Sequence, residues 1–282
     1  MNMMKKNNRI IASLFTVLTV GILVTVMACS SDETQTVATF DNLVFEDNFD
    51  TDGFIDPNVW NFDIGDGTAQ GIPGWGNNEL QYYTDRSENA TVENGFLLIT
   101  AKQEAFNGYG YTSARLQTKG KLQQQYGRFE ARIRLPYGQG MWPAFWLLGD
   151  DSDGSIWPQI GEIDVMENRG QEPTKISGTV HGPGYSAGNS IFKEYTFENS
   201  RVDTEFHVYG IEWGPDYINF YVDDALYNQI TPEDVTGEWV FNDRPFYILL
   251  NLAVGGNFVG GPNAETVFPQ TMLVDYVRIY TE

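Results

Sequence analysis

The sequence has a single cysteine, Cys29. No disulfide can close within the chain, so the fold must be held by its core alone. Basic residues are scarce too. Seventeen Lys and Arg stand against 38 Asp and Glu, a formal charge of −21. A surface that acidic disfavours nucleic acid and anionic membranes and suits a neutral partner or a bound cation. It argues against sulfated polysaccharides as well. No convincing helical period, internal repeat or low-complexity run is present, and no long apolar run follows residue 28.

The one long apolar run is N-terminal. Lys5, Lys6 and Arg9 precede Ile10 to Ala28, and Cys29 follows at once. This is the charge and hydropathy pattern of a secretory signal, although the run is about long enough to span a bilayer as an uncleaved anchor. Val26-Met27-Ala28-Cys29 resembles the end of a bacterial lipoprotein signal, with Cys29 as the lipidated new N-terminus. Ser30-Ser31-Asp32-Glu33 resembles the acidic tag of surface lipoproteins in Gram-negative cells. Residues 1–28 are therefore read as signal and 29–41 as a lipidated polar linker. A single acyl chain binds membranes marginally, so stable anchoring needs more than one. Loss of the signal removes three basic residues and no acid, leaving the rest more negative than −21.

From residue 42 onward the pattern is strand. Phe129 to Leu135 alternates strictly, with Phe, Ala, Ile and Leu on one face and Glu and two Arg on the other, as in a half-buried antiparallel strand. Phe96 to Lys102, Tyr217 to Asp223, Phe246 to Val254 and Met272 to Tyr280 also read as strands. Many short strands without helices predict an all-β domain of two packed antiparallel sheets. Trp75, Trp142, Trp146 and Trp157 cluster in or beside Gly/Pro-rich segments. Aromatic rings stack on the apolar faces of sugars at low entropic cost. Trp142 and Trp146, four apart, face one side of a strand and are the better candidates for a sugar cleft; any one Trp read alone is core.

The stretch WPQIGEIDVMENRG, 157–170, concentrates the acids: Glu162, Asp164 and Glu167, separated by apolar Ile163, Val165 and Met166. On a regular strand Glu167 faces away from the other two. A buried, unpaired Glu is costly, so a β-bulge near Val165-Met166 is expected to swing Glu167 back. The outer two Cα atoms are then about four strand steps, ~13 Å, apart. Each long side chain leans inward by about 4 Å, leaving roughly 5 Å between carboxyl groups. That approaches the ~5–5.5 Å of a retaining glycosidase and falls short of the ~6.5–9.5 Å of an inverting one. Crowding raises at least one carboxyl pKa, which suits a nucleophile beside a proton donor. Spacing alone does not say which Glu is which. A solvated acidic face and a calcium site are the alternatives.

These segments together resemble glycoside hydrolase family 16, in its bacterial laminarinase branch. The likeness rests on GWGNNELQYYT (74–84), SARLQTKGK (113–121), MWPAFWLLG (141–149), WPQIGEIDVMEN (157–168), TVHGPGY (179–185) and NLAVGGNF (251–258), and spans about residues 42–282. It implies a β-jelly-roll sandwich of two curved antiparallel sheets with a concave substrate cleft, and endo-hydrolysis of β-1,3-glucosidic bonds with retention. It implies Glu162 as nucleophile, Glu167 as acid/base and Asp164 assisting. By the same route Trp142 and Trp146 match sugar-stacking residues, Asn77 and Arg115 polar contacts on the non-reducing side, and His181 a histidine near the catalytic strand. Read without the family, Arg115 pairs with an acid across the sheet and His181 is a satisfied core histidine. Phe258 stands where the family leads us to expect Trp.

The resemblance implies no cofactor for catalysis. It carries over a structural calcium on the convex face at Glu46, the Gly95 carbonyl and Asp275, for which plain surface acids are the alternative. Asn48 to Gly53 looks like the front of an EF-hand loop, but Val59 stands where the bidentate Glu belongs, so it reads as a turn. The expected partner is a β-glucan, bound by a monomer whose only membrane contact is its lipid. Rival readings are a mixed-linkage β-1,3-1,4-glucanase, an agar-type galactanase and a non-catalytic glucan binder. The dedicated mixed-linkage branch has a shorter E-x-D-x-E, against which Met166 argues. Binding-only relatives typically lose both glutamates.

Overall fold

Strands built by alternation have to bury one face, and in the computed structural model they do so against each other. The structure describes residues 38–282; the signal, Cys29 and the linker through residue 37 lie outside the described residues. Two sheets, of ten and seven strands, stack with their apolar faces inward. All pairings are antiparallel except Gln81–Tyr83 with Tyr109–Ser113. The architecture is a β-jelly-roll sandwich.

The seven-stranded sheet carries the site. Its hydrogen-bonded order is Ile191–Thr196, Lys175–His181, Glu162–Glu167, Met141–Gly149, Phe246–Val254, Arg115–Gln117 and Asn61–Phe62. The acidic strand thus lies inside the sheet, clamped on both edges. Phe246–Val254 matches its sequence reading and is buried along its whole length. Phe246, Ile248, Leu250, Leu252 and Val254 belong to the core. Leu249 packs on the other face, and Asn251, only 6% exposed, lies beneath the cleft.

The ten-stranded sheet covers the opposite side of the core. Phe129, Ala131 and Ile133 of Gly127–Arg134 point inward as the alternation predicts. Glu130, on the outer face, is nevertheless buried at 6% exposure, because the Arg128 guanidinium lies over it and donates from Nε at 2.8 Å. The strand predicted over Tyr217 to Asp223 stops at Val222. Asp223 and Asp224 both take positive φ, 48° and 63°. They form the two-residue hairpin turn into Ala225–Ile230, where such angles match the strand twist. Asn48 to Gly53 ends in a turn at 51–53. Its Asp52 Oδ1 accepts the Asn94 N–H at 2.7 Å, tying the turn to the next hairpin.

Candidate active site

The bulge predicted for the acidic strand is present. Glu162 pairs with His181 and Glu167 with Ser177 on one neighbour, and with Leu148 and Ala144 on the other. Five residue steps therefore face four on both sides, with the irregularity between Asp164 and Met166. Ile163, Val165 and Met166 all reach the core, at 1% exposure or less. The inward demand of two successive apolar residues absorbs the extra step. Glu162, Asp164 and Glu167 consequently share the open face and line a cleft of about 670 Å³. Gly161, at φ 74°, launches the strand; a Cβ there would lie 2.9 Å from the Phe246 ring.

The acids sit in a directed network. Trp142 Nε1 donates to Glu167 Oε1 at 2.9 Å, and Thr179 Oγ1 to Oε2 at 3.4 Å. His181 Nε2 is 3.0 Å from Asp164 Oδ2 and 3.7 Å from Glu162 Oε1. The Ala187 amide donates to His181 Nδ1 at 3.1 Å, which places the neutral ring's proton on Nε2, beside Asp164. Burial disfavours the imidazolium, but Glu162 and Asp164 outweigh it and push the His181 pKa up to about 9. The Ala187 amide opposes that second proton. Burial and the two flanking glutamates push Asp164 well above the usual carboxylate range. Burial also raises Glu167, against the Trp142 hydrogen bond and the nearby imidazole. A carboxyl that holds its proton to higher pH than an ordinary Glu is the kind of donor a leaving oxygen needs.

With that arrangement in view, kinship becomes decisive. The family model described as glycosyl hydrolases family 16 matches residues 76–277. The chain belongs to that family. A β-glucanase of Rhodothermus marinus is 44% identical over 248 residues, covering 84% of each chain. The catalytic domain of an endo-1,3-β-glucanase (laminarinase) from Thermotoga petrophila superposes with TM-score 0.83 at 47% identity, covering 87% of this chain and 99% of the other. The endo-β-1,3-glucanase of Pyrococcus furiosus gives 0.82 at 48%, covering 85% and 94%.

In this family 16 chain the cleft also gathers the other residues singled out from sequence. Trp142, Trp146, Asn77, Arg115 and His181 all line it. Arg115 does two things at once. It ion-pairs with Asp63 at 2.9 Å, and its guanidinium lies between the rings of Trp75 and Trp146, at 4.4 and 4.8 Å. His181 is no core histidine but part of the acid cluster. Trp75 is buried against this stack, its Nε1 held by the Gly65 carbonyl at 3.2 Å, whereas Trp157 stands 41% exposed at the rim. Phe258 keeps an aromatic wall: its ring is 5.1 Å from Trp142, with the Arg169 guanidinium 4.0 Å above it.

Sequence reasoning missed Asn251, Thr179 and Glu79, which also line the cleft. Asn251 had a readable signal. It is the one polar side chain able to carry hydrogen bonds in FYILLNLAV apart from a tyrosine, and a buried amide needs partners. Its Oδ1 accepts from Trp146 Nε1 at 2.7 Å.

The carried-over calcium ligands lie apart from this cluster. Glu46 faces Arg278 at 3.5 Å, and Asp275 pairs with Arg132. Gly95 sits in the turn before Phe96–Phe106 at φ 77°. Each carboxylate has a cationic neighbour, with which a bound calcium would compete. Among the described residues the group with ligand-like spacing is instead Glu162, Asp164 and His181, with ligand atoms within 4.8 Å of one another. That set belongs to the catalytic centre, and its imidazole is not a calcium donor.

Replacing Trp142 with Phe removes the indole hydrogen bond that favours ionised Glu167. Its pKa then rises further, and the alkaline limb of the pH profile of kcat/KM is expected to move to higher pH. A limb that stays in place would show that Glu167 is not the titrating acid.

Proposed function

We propose that this chain is an endo-acting glucanase that hydrolyses β-1,3-glucosidic bonds of laminarin-type glucans with retention of configuration. The observation that carries it is the bulged strand, which presents Glu162 and Glu167 on one face of a tryptophan-lined cleft. The names of the relatives supply the linkage. Glu167 protonates the glycosidic oxygen while Glu162 attacks the anomeric carbon, forming a glycosyl-enzyme ester and releasing the aglycone chain. Glu167, now ionised, takes a proton from water, whose oxygen attacks the same carbon and frees Glu162. Asp164 and His181 hold the Glu162 side of the site. Family 16 catalysis uses no cofactor. A calcium at Glu46, Gly95 and Asp275 would have to displace two arginines and stands outside the chemistry.

The retained glutamates argue against a pure binder, and the bulge argues against the dedicated mixed-linkage branch; an agar-type galactanase is opposed by the GWGNNELQYYT segment. The N-terminal pattern supports export, lipidation at Cys29 and anchoring at the outer membrane or surface of a Gram-negative cell. The protein would act there as a monomer.

One experiment tests the whole reading. The full chain is expressed in a Gram-negative host, and washed membranes and soluble fractions are incubated with laminarin, lichenan and agarose. Laminari-oligosaccharides released by the membrane fraction, by an activity that detergent frees as a single-chain species, are expected. Preferential cleavage of lichenan or agarose would overturn the linkage, and wholly soluble activity would overturn the anchor.

A further inference from the structure

One acidic side chain in the cleft has no part in the mechanism: Glu79. It sits just beyond the tight turn Pro73–Gly76, in the loop that crosses the end of the sheet. Its hydrogen-bond directions are fixed by donors that cannot reverse. Gln81, fully buried, accepts the Val254 N–H on Oε1 at 2.8 Å. Its Nε2 must therefore donate to Glu79 Oε2, at 2.6 Å. Asn251 accepts the Trp146 indole on Oδ1, so its Nδ2 donates to Tyr83 Oη at 3.2 Å. The Tyr83 hydroxyl proton then goes to Glu79 Oε2, also at 3.2 Å. Oε2 is thus saturated. Oε1 has only Asn77 Nδ2 at 3.5 Å, the limit of a hydrogen bond.

A carboxylate has about four acceptor sites, and Glu79 lines the cleft with one oxygen nearly unused. Burial pushes its pKa up, and the Arg115 charge opposes that rise. Its location follows from the register. Glu167 lies opposite Ala144, Ala144 opposite Asn251, and Asn251 opposite Arg115. Three strand spacings of ~4.8 Å place Arg115 about 14 Å from the acid/base. The neighbouring Glu79 therefore faces a sugar other than the pair being separated.

We propose that Glu79 is a specificity-determining residue: Oε1 accepts a hydrogen bond from a hydroxyl of a glucan residue remote from the scissile bond, while Oε2 anchors the Tyr83–Asn251–Trp146 chain that sets the cleft floor. The inference rests on the glucanase reading and adds a contact to it. A charged acceptor reads a hydroxyl through its proton, so a sugar lacking that proton loses the interaction and leaves the acceptor unpaired.

Glu79→Gln tests it. Gln81 and Tyr83 both donate to Oε2, so the amide oxygen must take that place. The amide nitrogen then faces the cleft and converts acceptor to donor at almost unchanged volume. We expect the ratio of kcat/KM for laminarihexaose to that for an aryl β-glucoside, whose one sugar reaches only the reacting position, to fall about 10- to 100-fold, the range of one hydrogen bond to a charged group. The loss should appear mainly in KM, with the melting temperature little changed. An unchanged ratio, or parallel losses on both substrates with a lowered melting temperature, would overturn the proposal. Should E79Q fold poorly, the wild-type protein decides. Hexaoses O-methylated on successive residues away from the cleaved bond should include one, remote from that bond, with a comparable loss, and a flat series overturns it. Failure of the wild-type protein to cleave any β-1,3-glucan would instead overturn the glucanase reading.

Discussion

Glu162→Gln is expected to lower kcat on laminarin by on the order of 10⁴-fold or more, while binding of the glucan stays within a few-fold. The amide matches the carboxylate in size and keeps the strand register, because the backbone pairs with Leu148 and His181 do not involve the side chain. What disappears is the group proposed as nucleophile, and no neighbouring acid can take its place. Asp164 is buried and short, and it is engaged with His181 at 3.0 Å. Pull-down on insoluble β-1,3-glucan and reducing-end release, measured on the same preparation, separate the two quantities. Near-normal release would sink the assignment.

Glu167→Ala is expected to cost about 10²- to 10⁴-fold on glucan, the usual worth of a positioned proton donor. The same variant should keep forming the glycosyl-enzyme from an aryl glucoside whose leaving group needs no proton. Azide, which attacks without a base, should then restore turnover and give the β-glycosyl azide. The anomer settles what spacing leaves open. If Glu167 were the nucleophile, its removal would let azide attack the sugar directly and give the α product. The raised pKa of Glu167 sets the sign of the pH dependence: turnover is lost as pH rises through it, because the ionised group can no longer protonate the leaving oxygen. The causes are burial first, then the Glu162 charge, opposed by Trp142 and His181.

Much of this site was legible in the sequence because it depends on local periodicity. A regular strand would bury Glu167, which predicts the bulge, and Ile163, Val165 and Met166 point inward together only with it. Phe246–Val254 needed only its mostly apolar run, broken by Asn251. Less legible were features whose causes come from distant chain. Glu130 obeyed the outward alternation but was covered by Arg128. The end of the strand at Val222 was set by the left-handed pair Asp223 and Asp224. Arg115 could be read as a sugar contact or as an ion pair; it lines the cleft and also pairs with Asp63 between two indoles, which the sequence could not show because Asp63, Trp75 and Trp146 come from three separate segments. Glu79 was hidden in plain view inside GWGNNELQYYT. The role proposed for it depends on Gln81 and Asn251, whose amide orientations are set by a backbone N–H and an indole.

The two carboxylates proposed to react are mounted on one ribbon that is zipped to a neighbour along each edge, while the walls around them come from loops and from other strands. Stereochemistry and substrate choice therefore have separate mechanical supports. Loops can be exchanged, shortened or rebuilt to accept a different polysaccharide, and the inherited outcome at the anomeric carbon travels unchanged with the ribbon.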